Sequence, residues 1–110
     1  MIDIVSIIIP CFNPESGWEE NAIFHLEQIW LSMKDKYTLE IVVVDDGSIK
    51  SIDDSVKKLA HHFNVVKVEN KINAGKGNAV RKGVVKATGK YIIYTDSDLP
   101  YENIHISEHI

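Results

Sequence analysis

The chain has 110 residues, a formal net charge of −4 and an apolar fraction of 45%. That length holds one domain at most, and the Ile, Val and Leu content suffices for a core, which excludes a disordered chain. The acidic balance excludes a general nucleic-acid binder, and the lone Cys11 excludes an intrachain disulfide framework or a multi-cysteine metal site.

No apolar run approaches the ~20 residues needed to cross a bilayer. The opening Met-Ile-Asp-Ile-Val has no basic segment of the signal-peptide kind, so the expected compartment is the cytoplasm.

Residues 4–9 are a short apolar run that stops at Pro10, the pattern of a strand buried on both faces. Residues 10–17, with Pro10, Asn13, Pro14 and Gly17, form a loop. Ala22, Leu26, Ile29, Trp30 and Met33 then recur at helical spacing and predict a helix over about 18–34. Residues 41–44 are a second buried strand, halted by Asp45-Asp46-Gly47-Ser48. Ser51 and Asp54 have capping-box spacing before a helix that buries Ile52, Val56, Leu59, Ala60 and Phe63. A third strand spans 65–68, followed by a polar loop rich in Gly and Asn. A third helix runs from about 78 to 87 with Val80, Val84 and Ala87 inward, and Gly89 suits its C-terminal cap. A fourth strand, 91–95, ends at Asp96-Ser97-Asp98-Leu99-Pro100.

This β-α-β-α-β-α-β order predicts an α/β fold of the Rossmann-like kind: three layers, α/β/α, around a mainly parallel sheet. Ligands of such sheets bind beyond the carboxyl ends of the strands. Polar clusters stand at each of those ends: Pro10-Cys11-Phe12-Asn13, Asp45-Asp46-Gly47-Ser48, Asn73 to Asn78, and Asp96-Ser97-Asp98.

Asp96 and Asp98, two apart in extended backbone, put two carboxylates on one side. That pair suits Mg²⁺ or Mn²⁺, which take the rest of their ligands from water and phosphate oxygens. The same residues before Leu-Pro also form ordinary turns. Asp45 and Asp46 divide likewise between accepting a hydrogen bond from a base or ribose and an Asx-turn that caps the next helix. Phe12 has the chemistry to stack on a base or to join the core. Cys11 lacks an activating neighbour and reads as a small apolar residue.

Residues 66–90 carry a formal charge of +6 against −10 in the rest of the chain. Gly75-Lys76-Gly77 opens a helix with Arg81 near its start, a place that attracts phosphate. Lys82 and Lys86 fit a solvated helix face. Gly75-Lys76-Gly77 is neither a dinucleotide fingerprint, since Val80 stands where a third Gly is required, nor a Walker loop, since Gly77 replaces Ser or Thr. The histidines show no zinc-protease spacing. His105 and His109, four apart, have no third ligand beside them.

Four blocks together resemble family-2 glycosyltransferases of the GT-A fold: Val5 to Asn13, Glu40 to Ser48, Asn73 to Gly83, and Thr95 to Asp98. The Gly75-Lys76-Gly77 wording and the Asp98-Leu99-Pro100 continuation are most similar to the polyprenyl-phosphate branch, dolichyl-phosphate glucosyl- and mannosyltransferases included. The resemblance implies a UDP- or GDP-sugar donor and transfer with inversion at the anomeric carbon, to polyprenyl phosphate or a saccharide. Pro10 and Phe12 would flank the base, Asp46 would hydrogen-bond it, and Asp45 would support. Gly75, Lys76 and Arg81 would line the nucleotide site. Asp96 would contact ribose or metal-bound water, and Asp98 would ligate the metal.

That branch usually has an acid directly after the Asn of the first block; here Pro14 intervenes before Glu15. The family domain continues for roughly as long again. The expectation is therefore the nucleotide-sugar-binding half of a transferase over residues 1–110, with the catalytic base and acceptor site outside it. The cut sheet would expose an edge and an apolar face and favour self-association. A second reading is a non-catalytic nucleotide-sugar-binding module. A sugar nucleotidyltransferase would need a Gly-rich turn where Pro10 to Asn13 stand.

Overall fold

The central strand is apolar at consecutive positions because both of its faces are covered. In the computed structural model, which describes residues 2–95 and the backbone of 105–108, this strand is β1, Asp3–Cys11. It is followed by α1 (Trp18–Met33), β2 (Tyr37–Asp46), α2 (Asp53–Ala60), β3 (Asn64–Asn70), α3 (Lys76–Lys86), β4 (Tyr91–Tyr94) and β5 (His105–Glu108). The expected α/β architecture forms.

The sheet order is β3-β2-β1-β4-β5. β1 pairs in parallel with β2 and β4, and β2 in parallel with β3. A strand that the sequence patterning does not signal, β5, runs antiparallel on β4.

Alternation along the strands sorts the core into two layers. Val5, Ile7 and Ile9 of β1 and Leu39, Ile41 and Val43 of β2 pack with Ala22, Leu26 and Ile29 of α1 and Leu59 of α2. Ile8, Val42 and Val44 face the other way, against Ala79 and Ala87. Burial at 79, 83 and 87 defines the inner face of α3. Gly83 lets the helix close on the sheet: a Cβ there would stand 2.5 Å from Ile8 Cγ2. Val80 and Val84, expected inward, are half-buried beside that stripe. Trp30 is 41% exposed, because the α1 face that meets the sheet is centred on Ala22, Leu26 and Ile29. Ala60 is also exposed, at the last turn of α2.

Two local expectations are corrected. Ser51 Oγ accepts the N–H of Asp53 at 3.2 Å, and Ile52 is the residue preceding the helix, so no reciprocal capping box forms. Gly89 does not end α3 in a left-handed turn. It is buried at a close approach of two backbones, where a Cβ would meet Ser6 N at 2.7 Å and Ile4 O at 2.8 Å.

At the amino ends of the strands a buried carboxylate ties three elements. Glu40 of β2 accepts from Ser6 Oγ (2.8 Å), Thr88 N (2.9 Å) and Thr88 Oγ1 (2.8 Å), and Ser6 Oγ in turn accepts from Gly89 N (2.9 Å). Burial pushes the Glu40 pKa up, but the hydrogen bonds from Thr88 and Ser6 outweigh it and hold it below the ordinary carboxylate value.

The chain steps from β1 to β2 to β3 in one direction. It then crosses back over the sheet through α3 to β4 on the far side of β1. That reversal opens a crevice at the carboxyl ends of the strands, where the polar loops gather. No described helix is long and apolar enough to cross a membrane.

Candidate functional site

The side-chain period of two separates the acidic doublet that ends β2. Asp45 follows Val43 toward the α1/α2 layer, and Asp46 follows Val44 toward α3. Both are buried, at 5% and 3% exposure, and they do different things. Asp45 Oδ1 accepts the N–H of Ser48 at 3.0 Å, an Asx-turn.

That turn positions the loop after β1. Ser48 Oγ accepts from Asn13 N (2.9 Å), and Asn13 Oδ1 accepts from Ile49 N (2.9 Å). Asn13 has φ 45°, a left-handed conformation that asparagine tolerates. The loops after β1 and β2 are thus bolted to each other.

Asp46 organises the other side. Its Oδ1 accepts from Asn70 Nδ2 (2.9 Å) and Ala74 N (3.1 Å), and its Oδ2 accepts from Gly75 N (3.0 Å). Burial raises its pKa. The donors from Asn70, Ala74 and Gly75, with the charge of Lys82, overcome that and keep the group ionised at neutral pH. Gly47 lets the loop come this close: its φ is +82°, and a Cβ would stand 2.7 Å from Asn73 N.

These loops border an open pocket of about 260 Å³ lined by Pro10, Cys11, Phe12, Asp46, Asn73, Gly75, Lys76 and Ala79. Five of the residues singled out from the sequence therefore come together: Pro10, Phe12, Asp46, Gly75 and Lys76. Phe12 is 50% exposed, an aromatic face turned to solvent rather than to the core. Lys76 and Gly77 begin α3, so the amino end of that helix lies at the pocket.

Asp45 and Arg81 do not line it. Asp45 points to the opposite layer, and Arg81 is exposed on α3, whereas Lys82 is the helix cation whose charge acts on Asp46. Asp96 and Asp98 lie outside the described residues, as does His109. The last described residue before them, Thr95, is 1% exposed and donates its N–H to Ile8 O at 3.1 Å, which brings β4 to the same edge beside β1.

Cys11 is buried. Burial, with the charge of Asp45, pushes its thiol up to about 12, so it supplies no nucleophile. A separate cleft of about 520 Å³ lies between residues 13–19 and 49–55 and holds none of the predicted site residues.

Asn70 is the participant that sequence reasoning missed. An asparagine after a short strand signals only a turn, and its link to Asp46, 24 residues earlier, exists only in the fold.

The sequence model described as "Glycosyl transferase family 2" matches residues 6–110. The dolichyl-phosphate beta-glucosyltransferase of Dictyostelium discoideum is 33% identical over 105 residues, covering 86% of this chain and 30% of that protein. The mannosyltransferase PcManGT from Pyrobaculum calidifontis, solved in complex with GDP-Man and Mn²⁺, is similar at TM-score 0.64 and 25% identity, over 89% of this chain and 28% of that one. S. aureus TarS 1-349 in complex with UDP is similar at TM-score 0.64 and 28% identity, over 86% and 27%. The chain thus spans less than a third of the length of each. A parallel sheet whose polar loops converge on one carboxyl edge, and a sequence match over nearly every residue, give one conclusion: the chain belongs to glycosyltransferase family 2.

Proposed function

We propose that residues 1–110 form the donor-binding part of a transferase that takes a UDP- or GDP-sugar and passes the sugar, with inversion, to an acceptor. The single observation that carries this reading is the Asp46 pocket. An ionised, buried acceptor stands beside an exposed aromatic face and the amino end of a helix, which suits a base and a diphosphate together.

In this reading Phe12 offers its ring to the base, Pro10 closes the other side, and Asp46 accepts a base N–H. Lys76 and the backbone at the start of α3 place positive potential near the diphosphate. Asp45 supports the fold of the loop, and Arg81 adds charge from the exposed side of α3.

In the sequence Asp96 and Asp98 follow Thr95, the described residue just past β4. Two carboxylates are a donor set that Mg²⁺ or Mn²⁺ accepts. Asp98 would be the ligand, and Asp96 would reach ribose or a metal-bound water. A cation held there neutralises charge on the departing diphosphate.

The similarity to a dolichyl-phosphate beta-glucosyltransferase favours a polyprenyl phosphate as acceptor. Such a phosphate is already an ionised nucleophile, so residues 1–110 need supply no strong base. A saccharide hydroxyl would require one from elsewhere in the protein.

Titration of UDP and GDP with and without Mn²⁺ tests the reading. Binding should strengthen with the metal, and Asp98→Ala should remove the metal's effect. Affinity that is equal with and without metal in the wild-type protein would count against it. Transfer of labelled sugar from UDP- or GDP-sugar to polyprenyl phosphate separates a transferase from a binding module.

A further inference from the structure

The helices on the two faces of the sheet carry opposite charge. On one face α3 holds Lys76, Arg81, Lys82 and Lys86 and no acid. On the other, α1 holds Glu19, Glu20 and Glu27 and no Lys or Arg. α2 beside it is balanced, with Asp53 and Asp54 against Lys57 and Lys58. Lys71 and Lys90 extend the basic stretch past both ends of α3, and no Asp or Glu falls between them.

Helical geometry sorts the residues of α3. Ala79 and Gly83 face the sheet, with Ala87 just past the last turn. Arg81 and Val85, four apart, lie on the opposite side, with Lys82 and Lys86 on its flank. All four are exposed, Val85 at 81%. A valine so placed contributes little to the core.

We propose that this outer face of α3 is a docking surface for an anionic lipid bilayer. The proposal goes beyond the donor-site reading and does not depend on it. A Lys or Arg at such a surface strengthens attachment by about fivefold. The net charge of −4 does not prevent this. The Debye length at physiological salt is about 8 Å. The smallest extent of the molecule is 24 Å. A surface held against α3 therefore feels its cations and little of the acids on α1.

Val85 decides between anionic partners. An apolar side chain flanked by cations suits the boundary between headgroups and acyl chains. A nucleic acid held by its bases asks for aromatic rings to stack on, and α3 has none. A single valine gives a shallow contact, so the attachment is electrostatic and reversible. Docking there sets the amino end of α3, and with it the pocket, beside the lipid headgroups.

The test is co-sedimentation with vesicles, free of nucleotide and of polyprenyl lipid. One set is phosphatidylcholine alone, the other phosphatidylcholine mixed with phosphatidylglycerol. The protein should bind the mixed vesicles about tenfold or more tightly, and added salt should release it. Lys86→Glu should weaken binding by about tenfold or more. Lys57→Glu, the same change of charge on α2, should alter it by less than about twofold.

A second measurement reports the face directly and needs no loss of binding. Cys11 is buried, so an engineered cysteine takes an environment-sensitive dye alone. Dye on Val85→Cys should shift to the blue when mixed vesicles are added, and dye on Leu31→Cys of α1 should not.

Equal binding to both vesicle types, or none, overturns the proposal. So does a shift at Leu31→Cys without one at Val85→Cys, which would assign the lipid to α1. Polyuridine bound as tightly as the mixed vesicles, and weakened equally by Lys86→Glu, would assign the face to nucleic acid instead.

Discussion

Replacing Glu40 by Gln removes a charge from the amino-terminal edge of the sheet and almost nothing else. Glutamine keeps Oε1, which accepts from Ser6 Oγ and Thr88 N, and sets an amide nitrogen where Oε2 accepts from Thr88 Oγ1. The threonine hydroxyl can rotate to accept, so all groups stay paired. What is lost is the added strength of hydrogen bonds to an ion, about 1–2 kcal/mol over the cluster. For a chain of this size that is a fall in Tm of roughly 5–10 °C at pH 7. Glu40→Ala is harsher: it leaves Thr88 N and the Ser6 hydroxyl facing an empty space, at about 3–5 kcal/mol.

The pH dependence follows from the sign of the shift. The folded-state pKa of Glu40 lies below its ordinary value of 4.5. The stabilisation is therefore fully present above 4.5 and disappears as pH falls through the folded pKa. Gln does not titrate, so the gap between wild type and Glu40→Gln should shrink in that window, and the lowered pKa values of Asp46 and Asp53 cancel from the difference. Thermal melts of both proteins from pH 7 to pH 3 measure it. A gap that stays constant across the range would refute the argument that Glu40 is ionised in the folded protein.

The raised thiol pKa and burial of Cys11 predict that iodoacetamide at pH 8 modifies it only in denaturant; rapid labelling of the native protein would contradict that burial. Gly89→Ala drives a Cβ into the backbone of Ser6 and Ile4 and should cost about 2–4 kcal/mol in a denaturant melt, where an exposed Gly would lose little. Phe24, Trp30 and Leu31 are exposed on α1, at 60%, 41% and 53%, and should make the chain self-associate. Sedimentation velocity should show concentration dependence that Trp30→Ser with Leu31→Ser reduces; a monomer at every concentration would sink this. The edge strand β3 is guarded against strand pairing by charge, since Lys67 pairs with Asp53 and Glu69 there.

The parallel strands were legible because burial on both faces leaves an unbroken apolar run, as in Ile7–Ile9 and Ile41–Val44. The carboxyl-edge site was legible because the polar interruptions fall at the strand ends. The resemblance assigns Asp46 to the base and Asp45 to support, and strand alternation supplies the physical reason for separate roles: neighbours in a strand must face opposite layers. Asn70 was invisible for a different reason. Its partner Asp46 is reached through the sheet pairing of β2 with β3, a tertiary fact with no local signature. Gly89 shows how one residue type hides two causes. Its lack of a Cβ serves a close approach to β1 rather than a helix cap. Trp30 fell at helical spacing, yet a hundred degrees of turn carries it past the stripe that meets the sheet.

The central claim is that a nucleoside diphosphate binds where Phe12, Asp46 and the Gly75 loop meet. Backbone amide NMR of the protein titrated with UDP and Mg²⁺ tests it directly. The largest shifts should fall at Phe12, Ala74, Gly75 and Lys76, with Thr88 and Gly89 at the other end of the sheet unmoved. Shifts gathered instead along residues 13–19 and 49–55, around the larger cleft, or none at saturating UDP, would contradict the account.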